Sequence, residues 1–297
     1  MSEFALRRAC ERLAGPELTA YVLHLRPMEW PIMSAHFLVG ALLAAGIHLP
    51  VGPLLAGWFI FVVLLNGGTL AINSAFDQDE GDVAYLRRPP KPPRHLALVS
   101  GLMLAAALLL GFLLPSLFAG CNAACVAMSV LYSVPPARLK ARAGWDLLIN
   151  AAGFGALTLL AGWGLTGRPL PAGMVPVAIG YALLFGSLYP TTQIYQMEED
   201  RARGDRTLVL GLGESLSLGL AVLLVLGAHA LFAWGALRLE RPPLALLVSL
   251  AAWLGVLLPW WARWRRMNPR QHQAGMYWCL GAWAVTDLSV LLLLWPR

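Results

Sequence analysis

The sequence has few charged residues. Only 13% of its 297 residues are Asp, Glu, Lys or Arg, whereas 58% are hydrophobic, and the mean hydropathy is +0.64. Soluble globular domains carry charge on roughly 25% of their residues. This scarcity of charge excludes a water-soluble domain as the class of protein.

Cysteine is also scarce, and its spacing excludes a zinc site. The four cysteines are Cys10, Cys121, Cys125 and Cys279. Cys121 and Cys125 are one helical turn apart, but no histidine or second cysteine pair completes a zinc-binding set. We interpret them as small buried thiols between helices.

Apolar runs long enough to span a bilayer recur along the whole chain. Nine spans are predicted, near residues 32–50, 54–76, 95–115, 118–134, 146–166, 172–196, 215–236, 244–262 and 274–295. We predict an all-α fold, a polytopic membrane helical bundle of about nine transmembrane helices around a central cavity that opens near the cytoplasmic face. The connections are short, so residues 1–297 form a single domain. Residues 1–25 are expected to be a cytoplasmic surface segment, and spans one to four and five to eight suggest an internal duplication.

The basic residues are distributed unevenly between the predicted loops. With the N-terminus inside, 18 of the 22 Lys and Arg residues precede span one or follow spans two, four, six and eight. This positive-inside bias predicts an integral protein of the bacterial inner (cell) membrane with a cytoplasmic N-terminus. The net charge of +6 therefore reflects the orientation of the protein in the membrane and the attraction of its basic residues to anionic lipid headgroups. Nucleic acid is not an expected partner, and the sequence does not indicate an oligomeric state.

An acidic stretch, NSAFDQDEGD, ends the second span. Four of the sixteen acids, Asp77, Asp79, Glu80 and Asp82, fall within six residues of it. Asn73 and Asp77 are four residues apart and share one face of a helix. Such oxygen ligands suit Mg²⁺, which takes a few carboxylates together with substrate phosphates. The alternative is a solvated acidic loop that caps a membrane helix.

A second polar stretch ends the sixth span, where Gln193, Gln196 and Asp200 share a helix face. Arg88 lies in a stiff, proline-rich loop after the first acidic stretch, where it either neutralises carboxylates or binds a phosphate. Asp287 is an acid within the ninth span, for which we expect a pairing partner or hydration.

Three stretches, in order, resemble motifs of the UbiA-type intramembrane prenyltransferase superfamily. NSAFDQDEGD is similar to the family's N-D-x-x-D-x-x-x-D, YSVPPARLK to its tyrosine–proline–lysine loop, and QMEEDRARGDRTL to its second Asp-rich motif. RPMEWP also resembles the entrance to the family's first span. The resemblance covers most of the chain up to about residue 215.

The resemblance implies a set of site residues and a Mg²⁺ cofactor. Gly81 stands where the family has a further Asp, so Asp79 or Asp82 would take that role, and Gln196 stands where the third stretch has its first Asp. The implied metal ligands are Asn73, Asp77, Asp79, Asp82, Glu198 and Asp200, and the implied catalytic residues are Asp77, Lys140 and Asp200. We expect the diphosphate and the acceptor to contact Arg88, Tyr132, Arg138, Lys140, Asn150, Gln193, Gln196 and Arg206.

The implied reaction moves a prenyl group from an allylic prenyl diphosphate to an aromatic or other lipophilic acceptor within the lipid bilayer. Two alternatives stay open from the sequence. A terpene cyclase of the same superfamily would trap the allylic cation internally and use no acceptor. A membrane transporter would use intramembrane charges to line a path, although here the acids cluster at one face.

Overall fold

The computed structural model describes residues 3–77, 86 and 88–296. Its regular elements are helices, apart from one isolated bridge between Arg142 and Arg206, so the predicted all-α fold is confirmed. In chain order the helices are α1 Glu3–Ala14, α2 Pro16–His24, α3 Trp30–Ala45, α4 Val51–Asp77, α5 Leu96–Gly111, α6 Ser116–Ser133, α7 Trp145–Gly164, α8 Met174–Ile194, α9 Met197–Arg203, α10 Leu208–Arg238, α11 Pro243–Arg266 and α12 Pro269–Leu294.

The apolar helices coincide with the predicted spans. Among the described residues, seven helices are long and apolar enough to cross a membrane, namely α4, α6, α7, α8, α10, α11 and α12. The shorter apolar helices α3 and α5 occupy the two remaining predicted spans. Helix α10 begins at Leu208, earlier than predicted, because its first turn precedes a kink at Gly213, whose φ of 76° suits glycine.

Two helices contain π-helical turns, Phe59–Asn66 in α4 and Ala151–Leu157 in α7. Such segments are rare and often occur at functional sites, because the shifted hydrogen bonds change which groups face the interior. In α7 the carbonyl oxygen of Gly155 lies 2.9 Å from His36 Nε2 of α3. The π-helical turn therefore supplies an acceptor for a buried histidine.

Glycines bring the backbones of α3 and α7 into direct contact. A Cβ atom at Gly40 would overlap the carbonyl oxygen of Leu159, and a Cβ atom at Gly162 would overlap that of Phe37. Small residues at helix crossings permit this close approach in membrane proteins. Helices α3 and α7 also contribute to both large apolar clusters, one with α4, α5 and α6, the other with α8, α10, α11 and α12. Their contact therefore joins the two halves of the bundle.

Asp287 has the pairing partner expected of an intramembrane acid. Its Oδ1 lies 3.1 Å from His36 Nδ1, and Trp283 Nε1 donates to its Oδ2 at 3.1 Å. His36 Nε2 faces the Gly155 carbonyl oxygen, which can only accept, so Nε2 must donate. One proton is then shared between His36 Nδ1 and Asp287 Oδ1, and the pair has no net charge.

The glycine contact predicts that Gly162→Ala lowers the free energy of unfolding. The added methyl group meets backbone that cannot rotate away, and overpacking typically costs about 1–3 kcal/mol. Thermal unfolding of the purified protein in detergent measures the effect. The control is Gly120→Ala on α6, because a Cβ atom there meets nothing within 4 Å. Equal unfolding midpoints for the two variants would contradict the proposed contact.

Candidate active site

A cavity of about 300 Å³ lies within the bundle and is lined by α3, α4, α6, α7, α8 and α12. Along α4 its lining runs from Phe61 to Asp77, which spans roughly 24 Å at the usual helical rise. The end near Asp77 is polar, and the end near Phe61 is aromatic and aliphatic, with Phe154, Phe185 and Trp283 in its wall. The cavity is suited to a ligand with a charged head and an apolar tail.

The polar end joins the first two predicted motifs. Lys140 is 8% exposed, forms an ion pair with Asp77, and donates from Nζ to Asn73 Oδ1 at 2.7 Å. Ser133 Oγ donates to the same oxygen at 3.3 Å. The segment after α6 therefore crosses the end of α4. There the Lys140 ammonium group lies against the predicted metal ligands Asn73 and Asp77.

Arg138 extends this network to the third motif. Its Nη1 donates to Asp205 Oδ1 at 2.9 Å, and its Nη2 donates to Asp77 Oδ1 at 3.4 Å. One guanidinium group thus links Asp205, which follows α9, to Asp77, which ends α4. The end of α4 and the segments that follow α6 and α9 meet around these charges.

The three polar residues predicted to share one helix face lie on an interrupted helix, with Gln193 in α8, Gln196 before α9 and Asp200 in α9. Gln193, Gln196 and Asp200 line the cavity, and Asp200 is 5% exposed. Glu198 lies on the exposed side of α9 and outside the cavity wall. It precedes Asp200 by two residues, which is about 200° around a helix, so the two side chains face opposite directions.

Asp146, at the start of α7, positions this part of the wall. It is fully buried, and it accepts hydrogen bonds from Gln193 Nε2 at 3.0 Å and from the Leu208 backbone N–H at 3.3 Å. The Gly144 backbone N–H donates to its other oxygen at 2.9 Å. The carboxylate therefore fixes the Gln193 side chain and the start of α10.

Tyr132 and Asn150, which the resemblance implies as substrate contacts, line the cavity. The Tyr132 hydroxyl lies 2.9 Å from the hydroxyl of Tyr189 on α8. Asn150 Nδ2 donates to the Asp146 carbonyl oxygen at 2.8 Å. These groups lie between the charged end of the cavity and its apolar end.

Besides Glu198 and Arg138, which contacts the lining residues Asp77 and Asp205, four predicted site residues are not placed in the cavity wall. Arg88 and Arg206 are exposed and do not line the cavity. The Arg88 carbonyl oxygen accepts from Arg7 of α1 at 3.0 Å. Asp79 and Asp82 lie outside the described residues, so their metal-binding role stays a prediction.

Several lining residues were missed by the sequence prediction. They are Arg26 and Glu29 before α3, Asn66 and Thr69 on α4, Tyr189 and Thr192 on α8, and Asp205 after α9. The helical spacing of the sequence could have identified two of them. Asn66 precedes Asn73 by seven residues, and Tyr189 precedes Gln193 by four, so each shares a face with a predicted residue.

The donor set at the polar end fits a magnesium ion. Asn73, Asp77 and Asp200 present amide and carboxylate oxygens to one cavity, and Mg²⁺ takes one or two carboxylates plus substrate phosphates. Within the described residues, which omit 78–85, no three or more His, Cys, Asp or Glu side chains are grouped closely enough to hold a metal ion. The described oxygens fit a metal ion that is shared with a phosphate-bearing ligand.

The fold and the site define a polytopic helical protein with a cavity that is charged at one end and apolar at the other. The sequence matches the UbiA prenyltransferase family over residues 34–282. The chain therefore belongs to the UbiA prenyltransferase family and is an integral membrane protein. No curated protein matches the chain significantly.

Solved structures share the fold at low sequence identity. A UbiA homolog from Archaeoglobus fulgidus bound to DMAPP and Mg²⁺ superposes with a TM-score of 0.72 at 20% identity, over 89% of this chain and 98% of the homolog. The same homolog bound to GPP and Mg²⁺ gives 0.72 at 20% identity, over 90% and 99%. A digeranylgeranylglyceryl phosphate synthase gives 0.69 at 16% identity, over 94% and 98%.

Proposed function

We propose that the protein is a Mg²⁺-dependent intramembrane prenyltransferase, which moves a prenyl group from an allylic prenyl diphosphate to an aromatic or other lipophilic acceptor. The observation that carries this proposal is the single cavity with carboxylates and Lys140 at one end and aromatic side chains at the other. Membership of the UbiA prenyltransferase family supports it. The likeness to a homolog bound to DMAPP or GPP with Mg²⁺ is consistent with it.

In this proposal the polar end binds the diphosphate. Asn73, Asp77 and Asp200 would hold Mg²⁺, and the resemblance suggests Asp79 and Asp82 as further carboxylates, whereas Glu198 is exposed outside the cavity wall. When bound there, Mg²⁺ would neutralise charge on the leaving diphosphate. Lys140 and Arg138, already beside Asp77, donate hydrogen bonds to the diphosphate oxygens. Such fixed donors favour the transition state because negative charge develops on the leaving group.

Other polar residues guide and orient the substrates. Tyr132, Asn150, Gln193 and Gln196 line the cavity below the charged network, where they contact the first prenyl carbons or the acceptor. Arg88 and Arg206 are exposed beside the polar end, where they attract the anionic diphosphate from solution.

The apolar end holds the prenyl chain and keeps water away from the allylic cation. Phe154 and Phe185 stack with ring centroids 5.1 Å apart, and Trp283 packs edge-on against Phe185 at 5.9 Å. Aromatic faces attract cations, and a water-poor site prevents hydrolysis of a reactive intermediate.

The test incubates the purified protein with Mg²⁺, geranyl diphosphate and lipophilic phenols, and measures diphosphate release and prenylated product. Asp77→Asn and Asp200→Asn should each lower kcat/KM at least about 100-fold, since each removes charge stabilisation at the leaving group, and a chelator should abolish turnover. The control, Glu17→Gln, changes an exposed acid on α2. Turnover without Mg²⁺ would contradict the proposal. A cyclised product formed without acceptor would identify a terpene cyclase.

Lys140 provides a second test. Lys140→Met should lower kcat/KM by roughly 10²- to 10³-fold, the effect of losing one preorganised electrostatic donor. Lys140→Arg should be intermediate, because a planar guanidinium keeps the charge but places it differently. Arg142→Met is the matched control, since Arg142 is basic, exposed and two residues away. Wild-type kinetics for Lys140→Met would remove this residue from the site.

We also propose that the protein lies in the bacterial inner (cell) membrane with the polar end and the N-terminus in the cytoplasm. Arg168 Nη1 donates to the Ala44 carbonyl oxygen at the C-terminal end of α3, and Arg241 Nη2 donates to that of Trp295 after α12. These arginines therefore belong to the opposite end of the bundle from Asp77.

This orientation predicts a labelling pattern in intact cells. Single cysteines at positions 168 and 241, in a protein with its native cysteines replaced, should react with a membrane-impermeant maleimide. Cysteines at positions 88 and 206 should react only after permeabilisation. Labelling of positions 88 and 206 in intact cells would reverse the proposed orientation.

A further inference from the structure

Three polar side chains in the cavity wall are outside the Asp77–Lys140 network. Arg26, Glu29 and Asn66 line the cavity, and they are 6%, 9% and 1% exposed. Among the described residues, Arg26 Nε and Asn66 Nδ2 have no hydrogen-bond partner. Glu29 likewise has no ion pair or side-chain hydrogen bond within that part of the chain. A buried polar group without a partner costs about 1–3 kcal/mol, so two such donors beside a buried carboxyl group in one cavity wall indicate a ligand that satisfies them.

The backbone holds two of these groups in a specific turn. Arg26 and Glu29 lie between α2 and α3, where the Glu29 N–H donates to the Arg26 carbonyl oxygen at 2.9 Å. Arg26 has a φ of 48°, in the left-handed region that is uncommon for residues other than glycine. Strained backbone of this kind persists where the surrounding structure fixes it, and it concentrates at functional sites.

The same turn packs along α4, which carries Asn66. Arg26 Nη2 lies 3.4 Å from Ser74 Oγ, next to the proposed metal ligand Asn73. A Cβ atom at Gly67, the residue after Asn66, would lie 3.6 Å from Trp30 Cζ2, the residue after Glu29. The three groups therefore lie along α4, from the end of its π-helical turn at Asn66 toward the diphosphate end.

The three side chains offer complementary hydrogen-bonding groups. Arg26 Nε–H and Asn66 Nδ2–H donate, whereas an ionised Glu29 only accepts. Burial raises the pKa of Glu29 to about 7, and the nearby Arg26 opposes this shift. A carboxyl group that exchanges a proton near neutral pH suits a general base, because both of its forms are populated. A hydroxyl group, which donates one hydrogen bond and accepts others, matches this set.

We propose that Arg26, Glu29 and Asn66 bind a hydroxyl group of the prenyl acceptor, and that Glu29 takes its proton. The assignment rests on the proposed prenyl transfer and names the acceptor class, a phenol or an alcohol. The hydroxyl oxygen accepts from Arg26 and Asn66 while its hydrogen is donated to Glu29.

The step balances as a substitution at the allylic carbon. The ester C–O bond of the prenyl diphosphate breaks, and its electron pair leaves with the diphosphate. The acceptor O–H bond breaks, and its proton goes to the Glu29 carboxylate. The electron pair left on the acceptor, on oxygen or on a conjugated ring carbon, forms the new bond to the allylic carbon.

The experiment separates this step from diphosphate ionisation. The full-length protein with Mg²⁺ and geranyl diphosphate is given 1-naphthol, a naphthohydroquinone or a 1-O-alkylglycerol, and in parallel their O-methylated counterparts. Glu29→Gln should lower transfer to a hydroxyl probe by about 10²- to 10⁴-fold, the contribution of a general base. Acceptor-independent diphosphate release and binding of a thio-analogue of geranyl diphosphate should stay at the wild-type level. Glu29→Asp should recover part of the transfer, and Glu17→Gln is the matched control.

Each outcome decides the assignment. Loss of transfer with retained diphosphate release in Glu29→Gln supports it, as does preference for a hydroxyl probe over its methyl ether. Wild-type transfer in Glu29→Gln, equal use of the methyl ethers, or diphosphate release with no hydroxyl probe prenylated would overturn it. No diphosphate release by the wild-type protein from any prenyl diphosphate would instead overturn the proposed function, and this assignment with it.

Discussion

The ion pair between Asp77 and Lys140 is the interaction on which the architecture of the site depends. Charged side chains at the margin of a membrane protein are costly unless they are paired, and this pair satisfies two of them at the end of α4. Arg138 then joins Asp77 to Asp205. Because these side chains come from the end of α4 and from the segments that follow α6 and α9, their pairing brings three distant parts of the chain together at one end of the cavity. The apolar packing below sets the depth of that cavity, and the charges set its entrance.

The sequence was sufficient for the fold and for part of the site. Long apolar runs fix helices in a membrane protein because backbone groups must bond within each segment, and the nine predicted spans follow from this. Asp77, Lys140 and Asp200 were predicted because they follow apolar runs at motif spacings. The resemblance implied Glu198 as a further ligand because it is an acid within the third motif, whereas its side chain is exposed and outside the cavity wall.

Other features depend on tertiary structure and leave little trace in the sequence. The turn that carries Arg26 and Glu29 lies in RPMEWP, whose resemblance to the entrance of the family's first span marked the segment but did not indicate that these two side chains line the cavity. The π-helical turn of α7 lies where His36 of the neighbouring helix α3 supplies a hydrogen-bond partner for Gly155. The close crossing of α3 and α7 requires Gly40 and Gly162, but glycine is frequent in membrane helices, so their contact could not be singled out.

The shared proton of His36 and Asp287 has an electrical consequence for the interior of the bundle. A lone carboxylate at this depth would be subject to the transmembrane voltage, at about 2.3 kcal/mol per charge per 100 mV for a full crossing. The pair is neutral whether the proton is on His36 or on Asp287, so the voltage exerts no net force on it. The net charge at the point where α3, α7 and α12 are joined is therefore the same at every membrane voltage.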